Sequence, residues 1–149
     1  MKEISLYVHI PFCKQRCFYC DFPTFAGKEK YREEYIDALI KEIKEKCSNY
    51  IIKTIFIGGG TPSYLETKEL EKLLKVIKNL NLSKDIEYSM ECNPGTLTKE
   101  KLMVMKKSGV NRISFGLQSC NNKLLKEIGR IHTFEEFLEN YNTQKYFFL

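Results

Sequence analysis

The sequence lacks any apolar run of the roughly 20 residues that a membrane-spanning helix needs, so we predict no transmembrane segment. It also lacks the apolar leader of a secretory signal, because Met1, Lys2 and Glu3 run directly into an alternating strand pattern. We therefore expect a cytoplasmic protein whose thiols stay reduced, which favours metal or cluster ligation over disulfides.

Long runs of one charge are missing too. Lysine and arginine total 24 against 19 aspartates and glutamates, and the signs alternate along the chain, as in Lys44-Glu45-Lys46. This pattern indicates solvated helix faces and predicts no nucleic-acid partner. The sequence has neither a P-loop nor a G-x-G-x-x-G fingerprint. Its two histidines, His9 and His132, show no catalytic pattern.

What the sequence does have is a tight cluster of cysteines. Cys13, Cys17 and Cys20 form a C-x3-C-x2-C series, three sulfur donors where a closed tetrahedral site needs four. Such thiolates suit an iron–sulfur cluster with one free coordination position, a zinc site completed by His9 or Asp21, or a redox pair. The nearby proline, glycine and aromatic residues favour a loop around a bulky inorganic group, hence the cluster. The remaining cysteines are scattered, and we expect them to pack in the core: Cys47, Cys92 and Cys120.

Strand and helix patterns alternate along the chain. Strands are predicted at 4–10, 53–57, 86–91 and 112–117, and helices at 28–47, 67–80, 98–108 and 122–128. Thr133 and Glu136 form a capping box that opens a last helix. This β-α order predicts an α/β fold, a parallel sheet with right-handed crossovers in one domain.

The unusual residues follow the predicted strands. Cysteines follow the first strand, glycines 58–60 the second, Glu91 ends the third, and Gln118 follows the fourth. Because sites in parallel α/β folds assemble at the carboxyl ends of strands, we expect these groups to meet at one rim.

Only four βα units are visible, and four units cannot close a barrel. The apolar cluster at 146–149 falls where the pattern places a fifth strand. We therefore expect residues 1–149 to be the N-terminal portion of a larger barrel domain.

Six motifs taken together resemble one family: YVHIPFC at 7–13, CFYC at 17–20, GGGTP at 58–62, ECNP at 91–94, ISFGLQS at 113–119 and GRIH at 129–132. They resemble the radical S-adenosylmethionine (SAM) proteins of the oxygen-independent coproporphyrinogen III oxidase group, which includes the HemW-type heme chaperones. The resemblance implies a partial TIM-type barrel whose remaining units and C-terminal domain are absent here.

The resemblance also implies a 4Fe–4S cluster on Cys13, Cys17 and Cys20, with SAM on the fourth iron. Further cofactor contacts are implied for Tyr7, Tyr19, Gly59, Gly60, Thr61, Glu91, Gln118 and Arg130. The implied chemistry is reductive cleavage of SAM, with electrons from a reductant such as flavodoxin or ferredoxin. No side chain is assigned a catalytic role, because the cofactor carries the difficult step.

One position separates the branches of this family. The oxidases of this family have the spacing C-x3-C-x2-C-x-C, whereas in this sequence Phe22 takes the place of the last cysteine. This favours the heme chaperone branch, with heme as the bound partner. The alternative is an oxygen-independent coproporphyrinogen III oxidase that acts on a porphyrinogen.

Overall fold

The computed structural model describes residues 1–148. Four parallel strands form the main sheet in the order β1-β4-β5-β6: β1 Lys2–Ile10, β4 Tyr50–Gly59, β5 Leu82–Cys92 and β6 Arg112–Phe115. A short parallel pair, β2 Phe12–Cys13 and β3 Phe25–Ala26, lies beside it. The predicted α/β fold with a parallel sheet is confirmed.

Helices α1 Arg32–Cys47, α2 Thr67–Lys78 and α3 Lys99–Lys107 connect the strands, and α4 Asn122–Glu127 and α5 Phe134–Phe148 follow β6. Four of the five helices begin on a local capping signal. Glu66 and Glu69 form a capping box at α2, Thr98 caps α3, and Asn121 caps α4. The predicted capping box of α5 is confirmed, because Thr133 and Glu136 bond each other's backbone N–H groups.

The core lies between one face of the sheet and the helices. Along each strand, alternate side chains point to opposite faces, so Val8, Ile57 and Met90 share one row that is at most 1% exposed. The apolar stripes of α1, α2 and α3 pack in the same cluster. The opposite face carries the row Tyr7, Phe56, Ser89 and Arg112.

Two expectations were wrong. Residues 146–148 do not form a strand: α5 continues through Phe148, where Phe147 and Phe148 pack against the core and Lys106 lies over the Phe148 ring, and Leu149 lies outside the described residues. Cys120 is not a core residue, since it is exposed in the loop before α4, whereas Cys47 and Cys92 are buried as predicted.

Candidate functional site

A cavity of about 240 Å³ opens at the carboxyl ends of the four main strands. The cysteine loop closes one side, and the turn after β4 and the ends of β5 and β6 form the others. All the predicted site residues except Tyr7 line it: Cys13, Cys17, Tyr19, Cys20, Gly59, Gly60, Thr61, Glu91, Gln118 and Arg130. The structure therefore brings together groups that lie far apart in the sequence.

The β2–β3 pair holds the two ends of the cysteine loop together. Phe12 and Cys13 pair with Phe25 and Ala26, and the Phe25 N–H donates to the Pro11 carbonyl at 2.8 Å. Inside this loop the Cys20 N–H donates to the Cys17 carbonyl at 3.1 Å, which forms a turn. The three cysteines are thus confined to one short, closed loop of free thiols.

Each sulfur has a polar neighbour. The Thr61 hydroxyl donates to Cys13 Sγ at 3.5 Å, Arg130 Nη1 donates to Cys17 Sγ at 3.3 Å, and Cys20 Sγ lies 3.9 Å from Thr24 Oγ1. Burial raises the pKa of the Cys13 thiol, and the hydrogen bonds from Thr61 and Thr24 act in the opposite direction. Donors aimed at sulfur stabilise the thiolate form that binds metal.

The segment after α4 holds the cysteine loop from the other side. The Phe18 N–H donates to the Ile128 carbonyl at 3.1 Å, and Gln15 Nε2 donates to the Gly129 carbonyl at 3.0 Å. Gly129 has φ +78°, and a Cβ there would lie 3.0 Å from the Phe18 ring. Glycine is therefore required at 129 by both conformation and space.

The glycine turn lies directly beside the cysteines. The Gly60 N–H donates to the Ile10 carbonyl at 2.8 Å, and the Thr61 N–H donates to the Phe12 carbonyl at 2.9 Å. A Cβ at Gly60 would lie 3.0 Å from Cys13 Sγ and 2.9 Å from both carbonyl oxygens. Only a residue without a side chain fits here, so bare backbone lines the cavity next to the first cysteine.

Glu91 lies across the cavity from the cysteine loop. Its Oε2 accepts a hydrogen bond from the Gly59 N–H at 3.1 Å, and Gly59 takes φ +108° to present that donor. Burial raises the pKa of the Glu91 carboxyl, while the Gly59 bond and the nearby His9 lower it. A half-buried carboxylate with acceptor capacity facing a cavity suits ligand hydroxyl groups.

Tyr7 lies outside the cavity lining. Its hydroxyl contacts His9 Nδ1 at 2.9 Å, and His9 Nε2 lies 3.0 Å from the Pro23 carbonyl. Because a carbonyl only accepts, Nε2 carries the proton. Tyr7 and His9 thus connect strand β1 to the cysteine loop.

Tyr19, Gln118 and Arg130 complete the rim. Tyr19 is 51% exposed, and Gln118 has φ 67°, a left-handed conformation that is uncommon outside glycine. Arg130 Nη2 donates to the Gly116 carbonyl at 2.5 Å, while its Nε is buried without a hydrogen-bond partner.

Several further residues line the same cavity and were not among the predicted cofactor contacts, including Gln15, Asn93 and Gly116. Asn93 lies two positions after Glu91, at the end of the same strand, and this placement is the sequence signal that points to it. Gln15 and Gly116 gave no signal, because their contacts join segments that are remote in the sequence.

The donor types around the cavity are those that an iron–sulfur cluster and a polar ligand take. Within residues 1–148, no group of three or more His, Cys, Asp or Glu side chains comes together closely enough to hold one metal ion. The ligands of one zinc would have to converge at about 2.0–2.3 Å from it. The three loop thiols and the bare glycine backbone beside Cys13 are what the structure offers to a metal group here.

Comparison with known families decides which group of proteins this is. Residues 7–144 match the radical SAM superfamily. The chain belongs to the radical SAM superfamily. The cavity described above lies within the matched region, as do all the predicted site residues.

Relatives within this superfamily are close in sequence and fold. The chain is 44% identical to the heme chaperone HemW of Bacillus subtilis, over 86% of this chain and 35% of the relative. It is 37% identical to the coproporphyrinogen-III oxidase-like protein HemZ of the same organism, over 96% and 30%. The solved coproporphyrinogen III oxidase HemN of Escherichia coli superposes with a TM-score of 0.86 at 29% identity, over 97% of this chain and 34% of that one.

The chain therefore spans about a third of the length of these relatives. Its sheet is the corresponding part of the HemN radical SAM fold. Among the described residues, none of the helices combines the length and apolar character needed to cross a bilayer.

Proposed function

We propose that this chain is the cofactor-binding portion of a HemW-like heme chaperone. It would hold a 4Fe–4S cluster through Cys13, Cys17 and Cys20 and bind SAM in the adjoining cavity. The observation that supports this proposal most strongly is the position of Gly60. Because Gly60 has no Cβ, its backbone lies close to Cys13 Sγ, and a group bound at that sulfur would also meet the glycine turn.

The chain's own residues would bind and orient the cofactor. The backbone of Gly59 and Gly60 would accept hydrogen bonds from the amino group of SAM, with Thr61 beside them. Glu91 would accept hydrogen bonds from the ribose hydroxyls, and Tyr19 would lie along the adenine. The cluster with SAM, when bound, supplies one-electron reductive cleavage chemistry.

Arg130 and Gln118 would contact the ligand where they line the cavity, Arg130 directly beside Cys17. The positive guanidinium of Arg130 would attract an anionic or carbonyl acceptor. Gln118, held in its left-handed turn, presents an amide to the same space. Tyr7 lies outside the cavity lining and would act indirectly, through His9, which contacts the cysteine loop at Pro23.

Two observations favour the chaperone over the oxidase. Relatives named heme chaperone HemW from several bacteria match at 42–46% identity, whereas the solved HemN oxidase matches at 29%. Phe22 also occupies the position of the further cysteine in the oxidase pattern, and its exposed ring lines the cavity. Heme would then be the partner, and a flavodoxin or ferredoxin the reductant.

The first experiment tests the cluster. We expect anaerobic reconstitution of the chain with iron and sulfide to give a 4Fe–4S cluster by Mössbauer and EPR spectroscopy, with close to four irons per chain. Replacing Cys13, Cys17 and Cys20 together by alanine removes all three ligands and should abolish iron and sulfide loading.

Cys120→Ala is the matched control, because this thiol is free and exposed outside the cavity lining. It should load iron like the wild type. Zinc without iron or sulfide in the purified chain, or equal loading of the triple variant, would contradict the proposal.

The second experiment separates the two branches. A heme chaperone should bind added heme, seen as a saturable change in the Soret absorption, and should leave coproporphyrinogen III unchanged under reducing, anaerobic conditions. Conversion of coproporphyrinogen to protoporphyrinogen would favour the oxidase instead.

A further inference from the structure

Asn93 links two of the three loop sulfurs through its carboxamide. Its Oδ1 accepts a hydrogen bond from Arg130 Nη2 at 2.8 Å, and its Nδ2 donates to Thr61 Oγ1 at 2.9 Å. Since a guanidinium can only donate, the atom facing Arg130 must be the amide oxygen. The orientation of the carboxamide is therefore fixed by its partners.

The two neighbours of Asn93 each contact a different sulfur. Thr61 has one hydroxyl proton, and because Asn93 Nδ2 already donates to its oxygen, that proton is free to point at Cys13 Sγ, 3.5 Å away. The Arg130 guanidinium, which donates to Asn93 through Nη2, also donates through Nη1 to Cys17 Sγ at 3.3 Å. One amide thus orients both sulfur donors.

The surroundings of Asn93 leave it little freedom. Its backbone N–H donates to Ser63 Oγ at 3.1 Å, and its carbonyl accepts from the Thr96 hydroxyl at 2.8 Å. A Cβ at Gly116 would lie 2.6 Å from Asn93 Oδ1 and 3.0 Å from Arg130 Nη2, so glycine at 116 makes room for this pair.

We propose that Asn93 is a positioning residue that sets the hydrogen bonds to Cys13 and Cys17 and, through them, the reduction potential of the cluster. This inference rests on the proposed function, because it requires these cysteines to be the cluster ligands. Hydrogen bonds to ligand sulfur stabilise the more negative, reduced cluster and therefore raise its potential. Losing these hydrogen bonds therefore lowers the reduction potential.

Asn93→Asp tests the linkage. The carboxylate still accepts from Arg130 but cannot donate to Thr61, so the Thr61 proton is drawn to the carboxylate and away from Cys13. We expect a lower midpoint potential in an anaerobic redox titration followed by the EPR signal of the reduced cluster. The ratio of reduced to oxidised cluster at a fixed potential should fall by roughly two- to tenfold, because only the part of the hydrogen-bond energy that differs between the two oxidation states enters the potential.

A double-mutant cycle with Thr61→Val separates the linkage from the added charge. Alone, Thr61→Val removes the donor to Cys13 and should lower the potential. In the Asn93→Asp background it should add no further shift, because that hydrogen bond is already lost. Fully additive shifts, or an unchanged potential in either single variant, would overturn the inference.

Asn121→Asp is the control for a general effect of adding one carboxylate to the chain. It makes the same change at the cap of α4, where aspartate caps as well as asparagine, outside the cavity lining. Its potential should equal that of the wild type. If Asn93→Asp does not fold or load iron, Asn93→Ala takes its place, and an unshifted potential there or in Thr61→Val refutes the inference. A wild type that forms no 4Fe–4S cluster refutes the proposed function instead.

Discussion

The two faces of the main sheet carry different side chains although they share the same strands. On the face under the helices, Val8, Ile57 and Met90 are at most 1% exposed. On the opposite face Tyr7 is 54% exposed, and Arg112 is exposed while bonding Glu87 and Ser89. The Ser89 side chain is itself buried beneath that pair.

This difference separates what keeps the chain folded from what is available to a ligand. The covered face buries aliphatic area, which is the main favourable term in folding. The other face and the rim above it hold carboxylate, hydroxyl and guanidinium groups that cost desolvation when buried. Neighbouring residues on β4 therefore lie on different faces, one buried in the core and one nearer solvent. Substitutions at these neighbours compare the two faces directly.

The largest effect is expected on the covered face. Ile57 is fully buried in the core cluster, so Ile57→Ala removes apolar contacts and leaves a cavity. We expect the free energy of unfolding to fall by about 2–5 kcal/mol, measured by urea denaturation followed by circular dichroism. A loss below about 1 kcal/mol would show that the covered face does not dominate stability.

A smaller effect is expected one residue earlier, on the other face. Phe56 is half-buried and stacks on Tyr7 with ring centroids 6.2 Å apart. Phe56→Ala should cost about 1 kcal/mol in the same denaturation experiment, since much of its ring already meets solvent. A cost as large as that of Ile57→Ala would mean that this face is covered in solution.

The smallest effect, and one of opposite sign, is expected at Glu91. Burial raises the pKa of this carboxyl in the folded chain, so the folded state prefers the protonated form and the charge opposes folding at neutral pH. Glu91→Gln keeps an oxygen acceptor for the Gly59 N–H and removes the charge. The variant should be more stable at pH 7 by less than about 1 kcal/mol.

The pH dependence checks the sign of this effect. The advantage of Glu91→Gln should shrink as pH falls through the raised folded pKa and vanish below the ordinary glutamate pKa of about 4.3, where wild-type Glu91 is neutral in both states. An advantage that grows in acid would contradict the raised pKa. Under the proposed function, the variant should also bind SAM more weakly, because an ionised acceptor forms the stronger hydrogen bond.

Periodicity located the strands and helices, but tertiary contacts set their ends. Strand β4 begins at Tyr50 and β5 at Leu82, earlier than the predicted starts at 53 and 86, because both extend along neighbours across register shifts. Helix α1 begins at Arg32 instead of 28, after a tight turn over Glu29–Tyr31. Pairing partners and local turns of this kind leave no period in the sequence.

The rim was predictable because strand ends and glycine runs are visible in the sequence. Cys13, Gly60 and Glu91 each end or follow a strand, and parallel strands bring their carboxyl ends together. The position of Asn93 between Arg130 and Thr61 could not be predicted, since it depends on side-chain distances between three separate segments.

The bonds between the cysteine loop and the segment after α4 fix the timing of site formation on the ribosome. Gln15 and Cys17 reach their partners Gly129 and Arg130 across 114 and 113 positions of chain. At roughly 5–20 residues per second, translation leaves Gln15 and Cys17 without these hydrogen-bond partners for on the order of 10 s. The part of the cavity wall that Gly129 and Arg130 complete is therefore assembled only after α4 has been synthesised.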